Sequence, residues 1–212
     1  RGALGLLRFA VVKIVTRAGV FPDAVLMIEA DVEPDRAVER HVLMHQEVDE
    51  FVVEYFSVVF RREEKVAIAK RIFELATKKY GIRPVDLVFD ALTLPITTGQ
   101  DEYRTAGLET LAAVRRIKHE LPEVTTILGV SNISFGLNAY ARRVLNSVFM
   151  HEAVDHGLDI AIVNYSKIYP LYRIPEKEVE LARRLIFHDT SEGDPLQKYL
   201  AYFSGLENKP VA

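Results

Sequence analysis

The 212-residue chain has no cysteine. That excludes disulfides and thiolate-ligated metal sites, and it agrees with a reducing compartment without requiring one. Excess basic charge is also missing. The 27 Lys and Arg against 30 Asp and Glu leave a net −3, so the charge balance gives no footprint for nucleic acid. No apolar run is long enough to span a bilayer; Phe51 to Phe60 is short and carries Glu54. Leu4 to Val20 is apolar but broken by Arg8, Lys13 and Arg17, so it reads as an internal helix or strand pair rather than a secretory signal. The chain opens on Arg1 instead of Met and reads as a fragment or a processed product, and the expected compartment is the cytoplasm.

What is present is ordinary for a globular protein: 49% hydrophobic and 27% charged residues, in a length that fits one domain or two small ones. Two apolar, β-branched runs stand out. Val85 to Asp90 and Val124 to Gly129 have the composition of buried parallel strands, and each gives way to polar residues, Asp90 in the first and Ser131-Asn132 after the second. A helical pattern from Gln100 to Leu121 separates them, which makes a strand–helix–strand crossover. A third run, Leu158 to Val163, ends at Asn164. Asp90, Asn132 and Asn164 then share one sheet edge, where α/β folds bind ligands. Each has a blander reading as a turn former or helix cap.

Elsewhere, Val25 to Ile28 reads as a buried strand leaving through the acidic Glu29, Asp31 and Glu33, which are a solvated turn unless they hold a cation. Asp35 to Glu50 reads as a helix. His41, His45 and Asp49 are four apart on it, a spacing that suits a metal but more often marks a polar helix surface. Val52 to Phe60 fits either a strand or an extension of that helix. Arg62 to Lys79 is an amphipathic helix capped by Gly81. The loop Leu92 to Ile96 is unusually apolar and needs a cover: a ligand, a partner domain or a barrel mouth. Asn138 caps a helix running to His156. Its His151 and His156 are five apart, not the four that a zinc protease motif requires, so no metal site is expected. Asp194-Pro195 opens a last helix, whose Leu196, Tyr199, Leu200 and Phe203 need a partner surface. The repeat of strand, loop and helix indicates α/β, with three units where a complete eight-unit barrel takes about 250 residues.

Several stretches, in order from about residue 62 to 203, carry a resemblance. They are Leu87-Val88-Phe89-Asp90-Ala91-Leu92-Thr93, Thr97-Thr98-Gly99-Gln100, Ile117-Lys118-His119-Glu120-Leu121-Pro122, Leu128 to Asn138, Arg143 to Phe149, Gly157 to Val163, and Ser191-Glu192-Gly193-Asp194-Pro195-Leu196-Gln197. Together they resemble the pterin-binding (methyltetrahydrofolate-binding) domain of cobalamin-dependent methionine synthases. The resemblance implies a partial TIM barrel like that of dihydropteroate synthase, a parallel sheet with flanking helices. Residues 1–60 would be an unassigned N-terminal segment, 61–190 the C-terminal part of the barrel, and 191–212 a helical linker toward a cobalamin-binding module. It implies methyltransferase chemistry, from 5-methyltetrahydrofolate to a cobalamin carried on another module, with cobalamin- and homocysteine-binding modules of the same enzyme as partners. A chain of this extent would not complete that reaction alone. By the same resemblance Asp90 holds the pterin ring and Asn132 contacts N5 as the catalytic amide. Asn164 joins them at the third strand end. The family's earlier strands carry a further Asp and Asn, with no counterpart read in residues 1–60. Other readings are a related pterin enzyme, such as a dihydropteroate synthase or corrinoid methyltransferase, and a truncated, non-catalytic remnant or interaction module.

Overall fold

Three short strands organise the fold: β3 (Val88–Asp90), β4 (Thr125–Gly129) and β5 (Ile160–Ile162). They lie parallel in the order β3-β4-β5, with Asp90 opposite Ile127, Ile127 opposite Ile160 and Gly129 opposite Ile162. The computed structural model describes residues 61–206 and, before them, the backbone of an antiparallel pair, β1 (Ile14–Val15) and β2 (Val25–Leu26). The candidate cation groups at residues 29–33 and 41–49, the expected helix over 35–50 and the ambiguous stretch 52–60 lie outside the described residues.

Helices fill the crossovers. α1 (Arg62–Glu74) runs through a wider π-type turn (Leu75–Lys79) to Gly81, whose φ of 66° glycine adopts without penalty. α2 (Ala106–Glu120) links β3 to β4, and α3 (Ala139–Asp155) links β4 to β5. α4 (Glu176–Ile186) and α5 (Pro195–Ser204) follow. The strand at 85–90 starts late, because Pro84–Asp86 form a tight helical turn in which Arg83 pairs with Asp86 at 2.7 Å. α2 also begins later than Gln100. Asp101–Tyr103 form a separate turn, with the Arg104 guanidinium donating to Asp101 at 2.7 Å and to Asp194 at 2.9 Å.

The two faces of the sheet differ. Residues paired across parallel strands point the same way, and neighbours along a strand point oppositely. Phe89, Thr126 and Leu128 are buried under the helices, while Thr125, Ile127, Gly129 and Ile160 are only half-buried and Ile162 is exposed. Among the described residues the helices lie on one face; on the other, Val88 is buried and the rest of the row is half-buried or exposed, and with strands in sequential order this matches part of a barrel wall. The core lies on the helix side: Leu111, Val114, Ile117, Val144, Leu145, Val148 and Phe149 are fully or almost fully buried, and Leu108 only half so. Burial of each such side chain contributes roughly 1.5–3 kcal/mol. α5 packs on α4, where Leu196, Tyr199 and Phe203 are buried and the Tyr199 hydroxyl donates to Ala141 O at 2.8 Å. Most of the apolar face of that helix is therefore covered by the chain itself. The apolar loop is too: Ile96 is buried, and its N–H donates to Ile133 O at 3.2 Å.

Candidate functional site at the carboxyl ends of the parallel strands

Asp90 is the last residue of β3 and lies on the face away from the helices, in one row with Ile127 and Ile160. Its Oδ1 accepts the Leu92 N–H at 2.8 Å. This bond orients the carboxylate. Leu92 has φ 58°, one of two positive values among the described non-glycine residues. For a leucine this conformation costs about 1–2 kcal/mol, so the surroundings must impose it.

Those surroundings are identifiable. Lys65 of α1 is 7% exposed and donates to Ala91 O at 2.7 Å, Leu92 O at 2.9 Å and Thr110 Oγ1 at 2.9 Å. The Thr110 hydroxyl in turn donates to Leu92 O at 2.8 Å. Burial pushes the Lys65 ammonium down to about 8, against attraction from Asp90 and Glu109, which favours the charged form. Glu109 is itself tied to Arg62, accepting from its backbone N–H and its guanidinium.

Asn132 sits on the tight turn Val130–Ser134 that follows β4, and is exposed. Its amide lies over Gly129: a β-carbon on Gly129 would stand 3.4 Å from Asn132 Nδ2. Gly129 shares the face of Ile127 and Asp90, so the amide and the carboxylate occupy the same face. One strand spacing and two residues of rise separate the backbones of Asp90 and Gly129, or about 8 Å. Arg142 of α3 holds the turn, donating to Ser134 Oγ and to Ser131 O, each at 3.1 Å.

Asn164 lies two residues beyond β5 and is exposed. Its Oδ1 accepts from Ser166 N at 3.2 Å and Ser166 Oγ at 2.7 Å, so it caps the turn Tyr165–Lys167. That leaves its NH₂ as the group able to face a ligand. No group of three or more His, Asp or Glu residues able to hold a metal occurs among the described residues, and none of their helices is long and apolar enough to cross a membrane. His156 Nδ1 lies 2.7 Å from Glu152 O of its own helix.

Lys65, Thr110, Leu92 and Arg142 are absent from the sequence-based site. One signal pointed at Lys65: it occupies the stripe of Ala69 and Ile72 on α1, continued by Ala76 in the π-type turn, where an apolar residue is expected. Nothing local marks Leu92, because a leucine gives no hint of a left-handed backbone.

The chain is 48% identical over 147 residues to a methionine synthase of Mycobacterium leprae, an alignment covering 69% of this chain and 12% of that protein. It is 47% identical over 145 residues to a methionine synthase of Mycobacterium tuberculosis, covering 68% and 12%. It thus spans about an eighth of the length of these curated relatives. The family model described as "Pterin binding enzyme" matches residues 35–164, starting well before residue 62 and taking in all three parallel strands with Asp90, Asn132 and Asn164. Since that match covers more than half of the 212 residues, the chain belongs to the family of pterin-binding enzymes.

Proposed function

We propose that this chain is the C-terminal part of the pterin-binding barrel of a methionine synthase and presents 5-methyltetrahydrofolate for methyl transfer. The observation carrying this is the pairing of Asp90 and Asn132 on one sheet face, a carboxylate at one strand end and an amide over the glycine that ends the next. A pterin's pyrimidine edge offers a ring N–H beside an exocyclic NH₂, and a carboxylate accepts both as a charge-assisted pair. Ile127 and Ile160, in the row beside Asp90, give a flat ring an apolar floor. Gly129, without a side chain, leaves that floor clear below the amide.

Asn132 then meets N5. The methyl group leaves N5 as a cation equivalent, so N5 must become a better leaving group, and a proton on N5 makes it one. An amide both donates and accepts, so it serves N5 in either protonation state. Stabilising the protonated form more in the transition state than in the ground state is what accelerates the step. Asn164 would add a donor at the third strand end. Cobalamin, carried by another module, supplies the nucleophile that takes the methyl group; the described residues are assigned only to the pterin. The partners are therefore the cobalamin- and homocysteine-binding modules of the same enzyme, in the cytoplasm.

Calorimetric titration with 5-methyltetrahydrofolate tests this, comparing the chain with Asp90→Asn. The variant keeps an oxygen for the Leu92 N–H but loses the charge and places an NH₂ toward the ring. Saturable binding that the substitution abolishes supports the assignment. Equal binding by both proteins rules out Asp90 as the ring holder, and no binding by either shows that this part of the barrel does not bind pterin.

A further inference from the structure

Lys65 is buried and has all three of its ammonium donors assigned, to Ala91 O, Leu92 O and Thr110 Oγ1. Burying a cation on the apolar stripe of a helix is costly unless the charge is used. Here it is directed at two consecutive carbonyls of the residues that follow Asp90. In extended backbone consecutive carbonyls point to opposite sides; the positive φ of Leu92 takes the chain out of that conformation, and both carbonyls reach one ammonium. The Ala91 carbonyl and the Leu92 N–H belong to one planar peptide group, so the ammonium that grips Ala91 O also fixes the N–H that donates to Asp90 Oδ1. Thr110 completes the arrangement, accepting from Lys65 and donating to Leu92 O. The connection is continuous: α1 ammonium, α2 hydroxyl, Leu92 peptide, Asp90 carboxylate.

We propose that Lys65, assisted by Thr110, is a positioning residue for Asp90: by gripping the Ala91 and Leu92 carbonyls it holds Leu92 left-handed and fixes the carboxylate in the orientation that accepts the pterin edge. This rests on the pterin assignment of Asp90. It goes beyond that assignment by placing the control of the carboxylate on a residue 25 positions earlier, buried behind the site. Asp90 also attracts the ammonium, so the two charges support each other as well as the backbone between them.

The test uses the whole chain with three replacements. Lys65→Met keeps the length and apolar stem without the charge. Thr110→Val removes the hydroxyl bond to Leu92 O and leaves the ammonium its two carbonyls. Lys65→Cys, unique in a chain without cysteine, is alkylated with 2-bromoethylamine in denaturant and refolded, which restores an ammonium at nearly the original reach. Two quantities are read: hydrogen exchange at the Leu92 amide and the Kd for 5-methyltetrahydrofolate. The expected result is exchange and Kd both raised by about tenfold or more in Lys65→Met, raised less in Thr110→Val, and returned toward the parent by aminoethylation. A folded Lys65→Met with parental Leu92 exchange and parental Kd overturns the proposal, as does aminoethylation without recovery. If the parent chain binds no folate, the pterin assignment fails, and Leu92 exchange alone decides whether Lys65 holds the turn. If Lys65→Met does not fold, Thr110→Val carries the comparison, and unchanged exchange at Leu92 counts against the proposal.

Discussion

The side-chain amide of Asn132 occupies the space that a β-carbon would face at Gly129, at 3.4 Å. Any side chain at position 129 would therefore meet the amide and fill the floor on which a pterin would lie. Gly129 has φ −80°, which every residue tolerates, so its glycine is not required by backbone conformation. Gly129→Val should leave the melting temperature unchanged or raise it, since valine suits a strand and glycine weakens one. Folate affinity should fall about tenfold or more. Calorimetric titration beside a thermal melt separates the two. A folded valine variant with undiminished affinity would place the ring elsewhere.

Presentation of Asn132 depends on Arg142. Its guanidinium bonds Ser134 Oγ and Ser131 O on either side of Asn132, and Ser134 Oγ also donates to Ser131 O at 3.2 Å. Arg142→Leu removes both outer contacts and leaves the buried Ser134 with its local bond. Stability should fall by about 1 kcal/mol, as expected for hydrogen bonds that are partly solvated. Exchange at the Phe135 amide, which donates to Asn132 O at 3.2 Å, should accelerate. Folate binding should weaken severalfold. Parental exchange at Phe135 would show that the turn holds without the arginine.

Much of this architecture was legible because its signals are local. Asn138 accepts from Ala141 N at 2.9 Å and Asp194 from Leu196 N at 2.9 Å, both N-caps that a short polar residue before an apolar repeat announces. Gly81 and Gly157 close their helices with positive φ. Asp90 was found because an apolar run stops there. The support around it was not, because it is formed across distance: Lys65 and Thr110 are 45 residues apart, and they reach Leu92 from 27 and 18 residues away. The covering of the last helix and of the apolar loop was illegible for the same reason. Periodicity shows that a face is apolar and not which surface meets it.

The pH dependence of stability should carry the signature of Lys65. Its folded value is about 8, against 10.5 for an unperturbed lysine. Below pH 8 the ammonium is charged in both states, and the folded state bears the full burial penalty. Between pH 8 and 10.5 the folded protein has released the proton while the unfolded chain retains it, so stability from this group rises with pH across that window. The gain is on the order of 3 kcal/mol, with Asp90 and Glu109 as the charges facing the group. Urea denaturation at pH 7, 8.5 and 10 should show a rise for the parent that Lys65→Met lacks. Parallel profiles for the two proteins would mean that Lys65 titrates alike in both states.

Acid should act through Glu109. Hydrogen bonds from the Arg62 guanidinium hold its carboxyl below the usual range, against the opposing effect of burial; the Arg62 backbone N–H and the charge of Lys65 add to the lowering. Arg62 opens α1, where Arg61 supplies no side-chain cap, so this carboxylate from α2 satisfies one of the helix's first N–H groups. A depressed carboxyl stabilises the fold above its unfolded value near 4.3, and the contribution is lost as pH falls through the lower folded value. Glu109→Gln should cost about 2 kcal/mol at pH 7 and less at pH 3, because the parent is by then losing the same interaction. An equal cost at both values would show that the carboxyl's charge contributes nothing.

Gly107 tests how closely α2 approaches the end of α4. In an exposed helix Gly→Ala is stabilising by about 1 kcal/mol. At Gly107 the added methyl would stand 3.0 Å from Ile186 O, a backbone atom, and 3.5 Å from Ile133 Cδ1. The carbonyl cannot rotate away as a side chain would, so α4 must shift from α2. Overpacking of this kind costs typically 1–3 kcal/mol, enough to outweigh the helix gain. Gly107→Ala should therefore lower stability by about 1 kcal/mol or more in chemical denaturation. It should also reach the site: Ile133 lies in the turn that presents Asn132, and displacing it moves the amide over Gly129. The substitution is thus expected to weaken folate binding from the far side of the helix layer. If Gly107→Ala instead stabilises the chain and leaves folate affinity intact, then α2 and α4 are not held in the close contact that positions this turn.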